Sequence, residues 1–236
     1  MTEIIGSVIN LDLMARYGPR FLDGVVVTLQ LVAISFLLGG LLAVPVALAR
    51  LSKSGVLRAL AYGYVYFFRG TPLLAQVFLV YYGAGQLRGA FEAVGLWTFF
   101  RDAWFCALLT FTLNTAAYQA EIFRGGIQAV PRGQSEAAFA LGLPRWVAYV
   151  KVVFPQALVT ALRPLGNELI LMIKASAIVS LITIYDVMGV TRLAFSRSFD
   201  FQVYLWAAAL YLILVEAVRR LWAAAERRLT RHLKPV

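Results

Sequence analysis

Polar side chains at helical spacing inside apolar runs are the part of this 236-residue chain that could do chemistry. Asn114, Tyr118 and Glu121 fall at i, i+4 and i+7, which puts an amide, a phenol and a carboxylate on one helix stripe. In a later run Asn167 and Lys174 share a face, with Glu168 and Met172 on its flank. An ionised group at mid-membrane depth costs about 2.5–3.5 kcal/mol on insertion scales, so each needs a partner or a wet cavity. A carboxylate at Glu168 suits a cationic ligand such as an ammonium; a structural ion pair with Lys174, Arg163 or Arg69 would account for it equally. Glu121 stands three residues before Arg124, the spacing of an ordinary helix ion pair. No metal-ligand cluster or nucleophile triad is visible. No G-x-x-x-x-G-K-S/T sequence is present to cradle nucleotide phosphates. The chemistry on offer is binding, not catalysis.

The elements that must hold these groups follow from composition. The chain is 61% hydrophobic with a mean hydropathy of +0.76, well beyond the roughly 45–50% apolar content of soluble domains. Apolar runs extend over residues 24–49, 59–85 (interrupted by Arg69 and Pro72), 103–120, 147–185 and 201–222. At about 20 residues per crossing they predict an all-α membrane protein of about five transmembrane helices. Prolines 155 and 164 should break or kink the fourth run, and Pro72 the second. Tyr81, Tyr82, Trp97, Trp104, Trp146 and Trp222 near run ends read as interface anchors. The single cysteine, Cys106, supports neither a disulfide framework nor a thiolate metal site.

Net charge is +10. Nucleic acid is one partner for such a charge, but the basic residues flank the apolar runs, as the positive-inside rule requires. With the N-terminus outside, the inner segments hold Arg50, Lys53, Arg58, Arg124, Arg132, Arg145, Lys151, Arg219, Arg220, Arg227, Arg228, Arg231 and Lys234. The outer segments hold only Arg16, Arg20, Arg88, Arg101, Arg192 and Arg197. The bias predicts N-out, C-in. The first 20 residues lack the pattern of a cleavable signal peptide, so the first span is expected to be an uncleaved anchor. The lone His232 belongs to a basic tail. One domain is expected: an extracytoplasmic segment 1–20, a membrane domain 21–225 and a basic cytoplasmic tail 226–236.

This orientation puts residues 131–155 in the cytoplasm. Ser135 is a good N-cap and Glu136 sits at the positive end of a helix dipole. Ala137, Ala138, Phe139, Ala140 and Leu141 favour a helix, Gly142 can end it in the left-handed conformation, and Pro144 discourages continuation. About two turns result, too short to stand alone in water. Such a helix is either a mere joint between spans or an apolar element offered to another protein's groove.

The spacing Glu136-Ala137-Ala138, Gly142, Val152, Phe154-Pro155 resembles the EAA loop of bacterial ABC-importer permeases, EAA-x3-G-x9-I-x-L-P, with Val for Ile and Phe for Leu. Phe68-Arg69-Gly70-Thr71-Pro72-Leu73-Leu74 with Gln76 is similar to a segment of polar-amino-acid permeases. So are Leu113–Tyr118 with Glu121–Gly125, Val130–Gln134, and Gly166–Lys174. The tail, Ala225–Arg228 and His232–Pro235, is most similar to the histidine/lysine-arginine-ornithine and octopine/nopaline subgroup.

The resemblance implies the type I importer permease (MetI-like) fold in the bacterial inner membrane, multi-pass and non-enzymatic. It implies a permease homo- or heterodimer, a cytoplasmic ABC ATPase dimer that binds ATP and Mg, and an extracytoplasmic solute-binding protein; the chain itself would bind no cofactor. ATP binding would move the EAA helices and tip the membrane helices from inward-open to outward-open. Ser135, Glu136, Ala137, Ala138, Leu141 and Gly142 are the implied coupling residues. Glu168, Asn167, Met172, Asn114, Tyr118 and Glu121 are the candidate substrate residues. The substrate class implied is polar, basic amino acids, with opines or glutamine as alternatives. A channel, a structural membrane subunit and a membrane enzyme are the rivals from other classes.

Overall fold

The computed structural model describes residues 10–231, which form helices joined by short turns, with no strand among them. Asn10 starts the first helix, α1 (Leu11–Leu51), by accepting the Leu13 N–H on its side-chain oxygen at 3.1 Å. The helix thus takes in residues 11–20, which the sequence put ahead of the first span. Ser54 caps α2 (Gly55–Gly70). Pro72 forces Thr71 into an extended conformation (φ −114°, ψ 147°), so the second apolar run breaks here and resumes as α3 (Leu73–Gln86). Two short helices follow, α4 (Arg88–Ala93) and α5 (Trp97–Phe100). Asp102 accepts the Trp104 N–H at 3.0 Å and opens α6 (Ala103–Ala129).

Next come α7 (Arg132–Ala140), α8 (Arg145–Ala148), a π-helical turn (Tyr149–Val153) and α9 (Phe154–Ala175). A 3₁₀ segment (Ser176–Ile182) leads to α10 (Val187–Ser198) and α11 (Gln202–Leu229). Pro155 follows the π turn in a helix that is continuous from Arg145, and the wider turn accommodates its missing N–H. Pro164 lies inside α9, which continues through it. Neither therefore ends the helix; of the three prolines only Pro72 does.

Three stretches among the described residues are long and apolar enough to cross a membrane: Asp12–Leu51, Arg145–Ile182 and Gln202–Leu229. The second run is cut at Pro72. α6 has the length, but Asn114, Gln119 and its threonines dilute its hydropathy, and it depends on burial of those groups against other helices.

The described residues pack as two compact units. One comprises residues 10–35, Pro72–Thr112 and Ile170–Val218. Its core includes Leu31, Val77, Phe111, Ile173, Ile182 and Val203, all nearly solvent-free, and Phe21 meets Trp206 edge-on at 6.3 Å. Asp186, fully buried, caps α10 by accepting the Gly189 N–H at 2.8 Å and the Tyr211 hydroxyl at 3.0 Å. The other unit comprises Phe36–Thr71, Leu113–Leu169 and residues 219–231. Its core includes a cluster of small residues, Ala43, Ala47, Ala117 and Ala120 with Val65, which lets α1, α2 and α6 approach closely. At Gly126 a side chain would meet the Ala157 carbonyl oxygen at 2.6 Å, so α6 and α9 touch backbone to backbone.

Trp222 also packs inward. Its indole N–H donates to the Leu162 carbonyl at 2.9 Å, its ring meets Phe36 edge-on at 6.0 Å, and it fills the space over Gly166. His232, Lys234 and the end of the basic tail lie outside the described residues, as do residues 1–9.

Candidate functional site

The second unit holds the polar stripe of α6. Asn114 donates from Nδ2 to the Phe68 carbonyl at 3.0 Å. The Arg69 guanidinium lies 5.2 Å from the centre of the Tyr118 ring, a cation–π contact. The Glu121 carboxylate receives Arg124 at 2.7 Å and Arg50 at 3.0 Å. All three stripe residues thus engage the chain between Arg50 and Arg69. The Glu121–Arg124 pair is the contact its spacing suggested; Arg50, from the end of α1, is the addition.

Glu168 is 7% exposed and accepts the Thr115 hydroxyl at 3.0 Å. Thr115 in turn accepts from Gln119 Nε2 at 3.1 Å, and the same amide reaches the Phe36 carbonyl at 3.0 Å. A buried polar ladder therefore runs from α1 through α6 to Glu168 on α9. Arg163, one of the partners suggested for Glu168, turns instead to Glu226 at 2.7 Å. Asn167 and Lys174 are exposed while Met172 is buried, so the shared face and its buried flank are both present. Sequence reading missed Thr115 and Gln119, although their i, i+4 spacing in a charge-free run was a signal. It also missed Asp186 and Tyr211.

The candidate coupling residues Ser135–Gly142 are on a helix, but not with the start expected. α7 begins at Arg132 behind Pro131, one turn before Ser135, so Ser135 lies inside the helix and is not its N-cap. Pro131, extended at ψ 136°, stands as the N-cap, and Arg132, Gly133 and Gln134 make the first turn. Gly142 does end it: its φ is +74°, its N–H bonds the Phe139 carbonyl at 2.9 Å, and the Leu143 N–H bonds the Ala138 carbonyl at 3.1 Å. These paired bonds are a Schellman motif with Leu141 as the C-cap. Ala138 is buried, whereas Glu136 and Ala137 are exposed. Phe139 (48%), Leu141 (80%) and Trp146 (69%) present apolar surface to the outside. Gln134 and Gln156 meet at 3.3 Å, tying α7 to the first turn of α9.

Residues 22–231 match the family model of binding-protein-dependent transport system inner membrane components. The chain belongs to this family. As a member, the permease is an inner membrane component of a multi-subunit transport system and not an enzyme. It is 46% identical over 226 residues to the nopaline transport system permease protein of Agrobacterium fabrum, covering 95% of this chain and 94% of that protein. It is 37% identical over 219 residues to the histidine/lysine/arginine/ornithine transport system permease of Escherichia coli strain K12, covering 92% of each.

Among solved structures, the permease superimposes on an amino acid ABC transporter crystallised with histidines. The TM-score is 0.81 at 35% identity, over 91% of this chain and 96% of that one. It also superimposes on the inward-facing MetNI methionine transporter (TM-score 0.74, 20% identity, 89% and 96% covered), which bears on the fold. The all-α, MetI-like permease fold is thus that of this chain.

Proposed function

We propose that this permease is the transmembrane subunit of an ATP-driven importer of polar, basic amino acids in the bacterial inner membrane. In this reading it pairs with a second permease chain, receives substrate from an extracytoplasmic binding protein and docks a cytoplasmic ATPase dimer, which binds ATP and Mg. It lies N-out and C-in, with residues 1–20 outside, a membrane domain over 21–225 and a cytoplasmic tail over 226–236. Residues 131–155 are the coupling loop. The relatives that transport basic amino acids support the substrate class.

The observation that carries the reading is α7. It is a short helix closed by a Schellman motif, buried on Ala138 and apolar on its outer side at Phe139 and Leu141. A structure of this kind suits a groove in another protein. It joins through the π turn to α9, and Glu168 stands 14 residues after Phe154, about 21 Å along that helix. A push on α7 is thereby delivered to the helix carrying the buried carboxylate. Asn114, Tyr118 and Asn167 frame the substrate path around Glu168, with Met172 one turn further along α9, while Glu121 is held by Arg124 and Arg50.

Purifying the complex and measuring ATPase activity with ligand-loaded binding protein tests the reading. Stimulation by lysine, arginine, histidine or ornithine supports it; uptake in proteoliposomes without ATP would make the chain a channel. The 46% identity to a nopaline permease favours a second substrate reading, in which an opine replaces the free amino acid, and the same ligand series separates the two.

A further inference from the structure

Within the first unit, a cavity of about 350 Å³ is lined by Arg20, Asp23, Tyr185, Val190, Leu193 and Arg197, inside the roughly 300–1,000 Å³ range of small-molecule pockets. Its construction follows from helix periodicity. Arg20 and Asp23 stand at i, i+3 on α1, and Val190, Leu193 and Arg197 stand at i, i+3, i+7 on α10, so one face of each helix contributes. Tyr185 closes the cavity from the turn before α10. Buried Val190 and half-buried Leu193 make an apolar floor, while Arg20, Asp23, Tyr185 and Arg197 are exposed at the rim.

Among the described ion pairs, none joins Asp23 to Arg20 or Arg197. The two arginines and the carboxylate therefore keep their charges for a ligand. Arg192, the other nearby cation of α10, is turned away onto the Ser180 carbonyl at 3.1 Å. Two guanidinium groups with one carboxylate beside them complement a molecule carrying a carboxylate and an ammonium on one carbon.

We propose that this cavity is a relay site for the α-carboxylate and α-ammonium of the transported amino acid at the outer mouth of the permease. Arg20 and Arg197 take the carboxylate, Asp23 takes the ammonium, and the substrate side chain lies over Val190 and Leu193. The site reads the backbone part of the substrate shared by all α-amino acids, so it passes them on without selecting among side chains. The inference rests on the N-out orientation and the amino-acid reading given above.

The test uses the complete complex in proteoliposomes with ATP inside, and radiolabelled L-arginine delivered by the binding protein. Arg20→Gln combined with Arg197→Gln, and separately Asp23→Asn, should each lower uptake about tenfold at saturating binding protein. The apparent affinity for the binding protein and the thermal stability of the complex should stay unchanged. Unchanged uptake overturns the proposal. So does a loss that saturating binding protein restores, because the charges would then dock a protein. Labelling of Ser196→Cys by a membrane-impermeant maleimide from the outer side checks the orientation separately, and labelling only from the inner side overturns both. If wild-type complex moves a different amino acid, the basic-substrate reading falls, and the same variants measured with that amino acid decide the cavity.

Discussion

The Thr115 hydroxyl donates to the Glu168 carboxylate across 3.0 Å, and this bond links α6 to α9 in the interior of one unit. A carboxylate that buried keeps its place only while its surroundings supply donors or a cation. Glu168→Gln preserves the shape and the acceptor for Thr115 but removes the charge. Uptake of a basic amino acid should fall at least about tenfold with assembly intact. Thr115→Val removes one donor and keeps the charge, so it should cost less. Equal uptake by wild type and the Gln variant, measured in proteoliposomes, would end the substrate role for Glu168.

Glu121 answers differently because its carboxylate is already shared by Arg124 and Arg50. The three side chains are 13–27% exposed, between a surface and a buried ion pair. Glu121→Gln should therefore destabilise by about 1–3 kcal/mol, between the two limits. The loss should show as earlier thermal unfolding in detergent. Uptake per folded complex should hold. A variant of normal stability that has lost transport would reverse the assignment and make Glu121 part of the substrate path.

The contrast shows what was legible in the sequence. Helix spacing was enough to place Asn114, Tyr118 and Glu121 on one stripe and to pair Glu121 with Arg124, because those relations are local to α6. Gly142 was legible for the same reason: few residues besides glycine accept φ +74° after a helical turn. The Ser135 cap was misread because two start signals compete within five residues, and the rigid Pro131 begins the helix first. The partners of Arg163 and Trp222 were illegible. Glu226 is 63 residues from Arg163 and Leu162 is 60 from Trp222, distances at which no periodicity applies.

Two glycines of the second unit are spacers, and they should respond unequally to the same change. A Cβ at Gly126 would lie 2.6 Å from the Ala157 carbonyl oxygen; one at Gly166 would lie 2.5 Å from the Trp222 indole. Backbone at the first site cannot rotate away, whereas an indole can tilt if it gives up its bond to Leu162. Overpacking costs about 1–3 kcal/mol. Gly126→Ala should sit at or above the top of that range and Gly166→Ala lower. Trp222→Leu should relieve Gly166→Ala and leave Gly126→Ala unaffected, read as unfolding midpoints of the purified protein.

Gly142→Ala isolates the end of α7 from everything else. Beyond its chain neighbours, no heavy atom lies within 4 Å of the Cβ that would be added, so the change introduces no packing clash. What remains is the left-handed backbone, which a side chain disfavours by roughly 1 kcal/mol. The cost falls on the Schellman bonds from Gly142 to Phe139 and from Leu143 to Ala138, the latter being the one buried residue of α7. Loosening them should leave the membrane helices folded and free the apolar pair Phe139 and Leu141 from their fixed presentation. The complex should keep its unfolding midpoint within a few degrees, as expected for about 1 kcal/mol in a chain of this size. Its ATPase stimulation by loaded binding protein should drop several-fold. Gly142→Asn, which tolerates the left-handed region better, should recover part of that stimulation. Equal stimulation in wild type and the Ala variant would separate the geometry of this helix end from coupling.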